Sequence, residues 1–145
     1  MTKPAVLFIC TNNSARSQMA EAFLKKRAGA QFDAYSAGME PKGIHPLAVR
    51  VMREIGIDLS GHRSKPLRQF TGKLVFGFVI FVCQGAELTC PTTWPGAFNR
   101  LEWPFEDPAA CGGSEEERLQ KFREVRDQID QKIADWLGAA GKKGV

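Results

Sequence analysis

Two runs in this chain, VLFIC at 6–10 and LVFGFVIFVC at 74–83, are apolar throughout apart from one glycine, and each ends in a cysteine. A strand with one face in water alternates polar and apolar residues. An unbroken apolar run suits a strand covered on both faces, the usual condition of a parallel sheet packed between helices. The intervening segments carry helical spacing: Met19, Phe23 and Leu24 predict a helix over 17–27, and Val51, Met52 and Ile55 one over 46–55. The second helix has Pro46 in its first turn and Gly56 as its stop. Residues 32–36 read as a further strand ending at Ala37-Gly38, and Asn99–Leu101 as a short last one. Gly85, Pro91, Pro95 and Gly96 make 84–97 a loop. Ser114 and Glu117 form a capping box opening a helix that keeps Leu119, Phe122, Val125, Ile129, Ile133 and Leu137 on one face. Strands alternating with amphipathic helices predict an α/β fold, a parallel sheet between helices in a three-layer α/β/α sandwich.

At 145 residues the chain has room for one core, so a single domain over 1–145 is expected. Its 43% apolar and 25% charged residues are those of a soluble globular protein. There is no apolar stretch of about 20 residues and no cleavable leader pattern, so no membrane association and a cytoplasmic location are expected. The net charge of +4 is spread along the chain, with no basic stripe interleaved with aromatics. That argues against nucleic acid and favours small anions. Four cysteines, Cys10, Cys83, Cys90 and Cys111, occur without a C-x-x-C, and His45 and His62 lack partners at ligand spacing. No structural zinc and no disulfide framework are expected, which leaves packing residues or reactive thiols.

Placement decides between those two. Open parallel sheets gather chemistry outside the carboxyl ends of their strands, where Cys10 and Cys83 both fall. Cys10 opens C-T-N-N-S-A-R-S, a loop between a strand and a helix. There the backbone amides of Thr11, Asn12, Asn13, Ser14 and Ala15, with the unpaired first-turn amides of the helix, are expected to face an anion above them. Arg16 adds a planar fork for two oxygens of a tetrahedral oxyanion, and Ser17 a hydroxyl for the sulfur. The same donors favour a thiolate on Cys10. Asn13 suits a left-handed backbone or a bracing amide.

The segment VLFICTNNSARSQMAEAFL, with YSAG at 35–38, HPLAVRVMREIGIDLSGHRSK at 45–65, CPTTWPG at 90–96 and WPFEDPA at 103–109, resembles the low-molecular-weight protein tyrosine phosphatase superfamily. Within it the likeness is closest to the thiol-dependent arsenate reductases. The resemblance implies a four-stranded parallel sheet, Cys10 as nucleophile, and Asp107, an Asp followed by Pro, as the acid protonating the departing oxygen. Two tyrosines often follow that acid in eukaryotic phosphatases; here Ala109 and Ala110 stand instead, which weakens any grip on a phosphotyrosyl ring. A reductase also needs two electrons. The resemblance implies that Cys83 takes the adduct from Cys10, and that Cys90 then takes the disulfide outward to thioredoxin or another thiol reductant. Neighbouring parallel strands lie about 5 Å apart, within reach of such a bond if these two are neighbours.

The expected function is therefore arsenate reduction for arsenical resistance, with arsenate as substrate and phosphate or sulfate as analogues. The alternative is a phosphomonoesterase working through a Cys10 phosphoenzyme, with Cys83 and Cys90 incidental. A non-catalytic oxyanion sensor would be expected to lack Cys10 or Asp107, and both are present. Two departures stand out. Gln84-Gly85 follows the second cysteine where the reductases carry an acidic residue and an asparagine. Lys65 occupies a position where some relatives place an acidic residue that helps hold potassium; its ammonium is expected to stand in for the ion, with no bound metal and no cofactor. Cys111 has no role in the resemblance. A monomer is expected.

Overall fold

The computed structural model describes residues 3–71, 75–84 and 99–142. Its centre is β1 (Ala5–Cys10), paired in parallel with β2 (Asp33–Gly38) on one side and β3 (Phe78–Phe81) on the other. The last strand, β4 (Asn99–Glu102), lies outside β3, giving the order β2-β1-β3-β4. Val6, Leu7, Phe8 and Ile9 are fully buried because helices cover one face of β1 and an aromatic cluster the other. That double burial is why no polar residue interrupts the run. The chain leaves β1 to form β2 on one side and later β3 on the other. The carboxyl end of β1 thus sits where strand order reverses, the position outside which open α/β sheets bind their ligands.

β3 is shorter than the apolar run that predicts it. Its ladder begins as the Gly77 amide bonds Ala5 O, and a Cβ at Gly77 would meet the ring of Pro4 at 3.3 Å. Pro4 itself faces β2, where its carbonyl accepts the Asp33 amide, so the outermost bond of the β1–β3 ladder is the one from Gly77 N to Ala5 O. Val75 is exposed, and Phe76 turns into the far-face cluster with Tyr35 and Phe70. At the other end, Val82 N still reaches Ile9 O.

Three helices share the face formed by Val6, Phe8, Ala34, Ile80 and Val82: α1 (Arg16–Ala28), α2 (Pro46–Arg53) and α3 (Glu115–Lys142). Among the described residues the opposite face is covered by the single 3-10 turn Leu67–Gln69 with Phe70 and Phe76. α1 is buried on nearly every side from Arg16 to Leu24, including Gln18 and Glu21. α2 opens with the His45 ring accepting the Leu47 amide. It closes on Gly56, whose positive φ of 81° lets Ile57 N reach Met52 O and Gly56 N reach Arg53 O. That closure carries the coil through Ile55, reconciling the predicted and observed ends. α3 has its capping box, with Glu117 N on Ser114 Oγ at 3.2 Å and Ser114 N on Glu117 Oε1 at 3.3 Å. No helix among the described residues is long and apolar enough to cross a membrane.

Candidate active site

The loop from Cys10 to Arg16 wraps the carboxyl end of β1, and its carbonyls from Thr11 to Ala15 are directed outward to named donors. Thr11 O takes the Glu40 amide, Asn12 O that of Lys42, and Ser14 O that of His45. Asn13 O takes the Ser64 hydroxyl and Gln18 Nε2, and Ala15 O starts the helix with Met19 N. A carbonyl and the next residue's amide point opposite ways across a planar peptide. Tying the carbonyls of 11–15 outward therefore turns the amides of 12–16 the opposite way.

The Asn13 amide shows this directly, donating to Cys10 Sγ at 3.2 Å. Asn13 has φ of 50°, and its Oδ1 accepts from Lys65 N and Gln18 Nε2. Two donors on Oδ1 fix the carboxamide, so Nδ2 faces Ser17 Oγ at 2.8 Å. Ser17 Oγ accepts there, which leaves its own proton for Cys10 Sγ, also 2.8 Å away. The sulfur thus receives two hydrogen bonds in a buried site, an environment suited to negative charge. Both uses expected of Asn13, left-handed residue and brace, are present.

Arg16 is buried, with Nη1 on Phe105 O at 3.1 Å and Nη2 3.9 Å from Asp107 Oδ2. Asp107 is partly exposed; its other oxygen caps the short turn Pro108–Ala110 through Ala109 N. The structure therefore brings Cys10, Arg16, Ser17 and Asp107 together at the carboxyl end of β1. Cys83 is buried beyond the end of β3: Ile9 pairs with Phe81 and bonds Val82, so Cys83 stands one position past the neighbour of Cys10. It is disulfide-bonded, whereas Cys10 and Cys111 are free thiols. Cys90, the loop over 85–97 and Gly85 lie outside the described residues. Cys111 turns its thiol to Gly112 O.

Behind the loop lies a polar cluster. Lys65 Nζ is 2.9 Å from Arg63 O, 3.4 Å from Ser36 Oγ and 3.6 Å from Glu21 Oε1. Burial pulls the Lys65 ammonium below its ordinary range, and the Glu21 charge offsets part of that. Burial pushes the Glu21 carboxyl up, but hydrogen bonds from Lys25 and Ser36 and the Lys65 charge more than reverse it. His62 meets Gln18 Oε1 through Nδ1, and burial holds its imidazole below the usual value. Among the described residues no group of three or more His, Cys, Asp or Glu side chains is placed to hold a metal ion. Sequence reasoning did not reach Gln18, Glu21, Ser64 or the amides of 40–45. The available signal was polar residues one turn apart, Gln18 and Glu21, on a helix whose spacing puts them among apolar neighbours.

A cysteine and an arginine in a strand–loop–helix oxyanion cradle, faced by an aspartate, define a cysteine-dependent phosphatase-type site. The family model described as low molecular weight phosphotyrosine protein phosphatase matches residues 5–145, and the chain belongs to that family. Within it, the chain is 44% identical to an arsenate reductase of Halalkalibacterium halodurans over 92% of this chain and 94% of that protein. A solved arsenate reductase in its phosphate-binding state superposes with a TM-score of 0.77 at 34% identity, covering 94% of this chain and 98% of that one. A thioredoxin-dependent arsenate reductase of Corynebacterium glutamicum gives a TM-score of 0.69 at 30% identity, over 97% of this chain and 63% of that one.

Proposed function

We propose that this protein reduces arsenate to arsenite with electrons from its own cysteines. The observation that carries the reading is the environment of Cys10 Sγ, which accepts from Asn13 N–H and Ser17 O–H beneath an inward-facing loop. The Cys10 thiolate attacks arsenic while Asp107 protonates an oxygen that leaves as water. The loop amides of 11–15 and Arg16 hold the remaining oxygens, with charge-assisted bonds stronger than neutral ones.

The first step is equally that of a phosphatase, and Cys83 favours reduction. Its thiolate attacks the Cys10 sulfur, the sulfur–arsenic bond breaks, and its electron pair stays on arsenic, which leaves as arsenite. The product is a Cys10–Cys83 disulfide. Cys90 then attacks Cys83, freeing Cys10 as thiolate, and a reduced dithiol such as thioredoxin removes the last disulfide. Support comes from the position of Cys83 just past the end of β3, the strand beside β1, and from Cys83 being disulfide-bonded while Cys10 is a free thiol. Lys65 places an ammonium behind the loop, 3.6 Å from Glu21 Oε1, where some relatives have an acidic residue that helps hold potassium, and on that ground the reaction is expected to need no metal.

The reduced protein, given arsenate, thioredoxin, thioredoxin reductase and NADPH, should oxidise NADPH, at the same rate in sodium as in potassium buffer. Cys83→Ser and Cys90→Ser should each abolish sustained turnover. Arsenate-dependent NADPH oxidation surviving both substitutions would refute the relay. Hydrolysis of an aryl phosphate with no response to arsenate would establish the phosphatase instead.

A further inference from the structure

The YSAG stretch ends in Gly38, which the proposed chemistry does not use. Gly38 is the last residue of β2 and pairs in register with Cys10. A Cβ built on it would lie 2.7 Å from Asn13 N, 2.9 Å from Thr11 O and 3.0 Å from Asn12 C. All three are backbone atoms of the oxyanion loop, so no side chain can swing aside to make room. Nor can Gly38 retreat. Its amide is bonded to Lys65 O at 2.9 Å, it bridges to Pro66, and two residues on, Glu40 N holds Thr11 O. Gly61, by contrast, has open space where a methyl would stand.

We infer that Gly38 is a positioning residue for the oxyanion loop: the missing side chain lets β2 close against the loop and sets the Asn13 amide on Cys10 Sγ. The atom nearest the absent methyl is the amide nitrogen that donates to the sulfur. A methyl there presses on the loop where it stabilises charge, and the strap over 40–45 prevents the loop from moving away as a body. This inference rests on the proposed role of Cys10 and the loop, and names a residue outside that set on which their geometry depends.

The test compares wild type, Gly38→Ala and Gly61→Ala, each fully reduced. It reads phosphate affinity by calorimetry and iodoacetamide labelling of the Cys10 peptide against pH by mass spectrometry. Loss of one hydrogen bond to a charged group predicts that Gly38→Ala binds phosphate about tenfold more weakly and is labelled about tenfold more slowly near neutral pH. Gly61→Ala should match wild type in both. Wild-type values for Gly38→Ala would overturn the inference. So would its failure to fold, since Gly38 would then be a packing requirement of the sheet and not of the loop. If wild type itself neither binds phosphate nor labels readily near neutrality, the reading of the site has failed, and not that of Gly38 alone.

Discussion

Ser17 and Asn13 show how a few polar atoms can set a sulfur's chemistry. Asn13 is locked by two donors on its carbonyl oxygen, so its amide nitrogen must face Ser17, and the Ser17 proton must face Cys10. Removing that hydroxyl leaves the sulfur one donor short and the Asn13 amide without its acceptor. Hydrogen bonds to charged groups contribute about 1.5–3 kcal/mol. Ser17→Ala should therefore lower the rate of Cys10 alkylation near neutral pH by about ten- to a hundredfold, at the RT conversion of about 1.4 kcal/mol per decade. The measurement is Cys10 peptide labelling by mass spectrometry in the reduced protein. An unchanged rate would mean that Asn13 N–H and the other loop amides suffice.

Among the elements, α2 matters beyond its length. His45 caps it with its ring, packs that ring tilted against Phe122 of α3 with centroids 4.7 Å apart, and gives its own amide to Ser14 O in the loop. The helix's start is thus fixed to the site, its end to the left-handed Gly56, and Arg126 of α3 reaches across to Val51 O and Glu54. A side chain at φ of 81° costs about 1–2 kcal/mol. Gly56→Ala should lower stability by about that amount in urea denaturation, while phosphate affinity holds, because Gly56 lies at the end of α2 away from the loop. A matching loss of affinity would show that the helix transmits its end to the site.

For the whole molecule, acid is the natural stress. His45 is held below the ordinary imidazole value of 6.5 by burial and by Arg118, against a smaller pull from Asp107. His62 is lowered by burial against Glu21. Both bind a proton less readily folded than unfolded, so their contribution to stability is complete above about pH 6.5 and falls as pH drops toward the folded values. Glu21, whose carboxyl lies below its ordinary 4.5, adds a second loss at lower pH. Melting temperatures should be level from about pH 8 to 7 and decline below about 6.5. His45→Asn, whose carboxamide can cap the same helix, should remove part of the upper decline; a flat profile down to about pH 5.5 would contradict this assignment. The unbroken run at 6–10, the Ser114–Glu117 box and the C-x5-R-S loop were legible from the chain alone, because strand burial, helix capping and an anion cradle depend on residues close in sequence. Gly38 against Asn13, Phe105 O on Arg16, and the Glu21–Lys65 pair could not be read that way. Each joins segments separated by 25 to 89 positions, and only the register of β2 on β1, the packing of 105–107 over α1 and the bond of Lys65 O to Gly38 N bring them within ångströms.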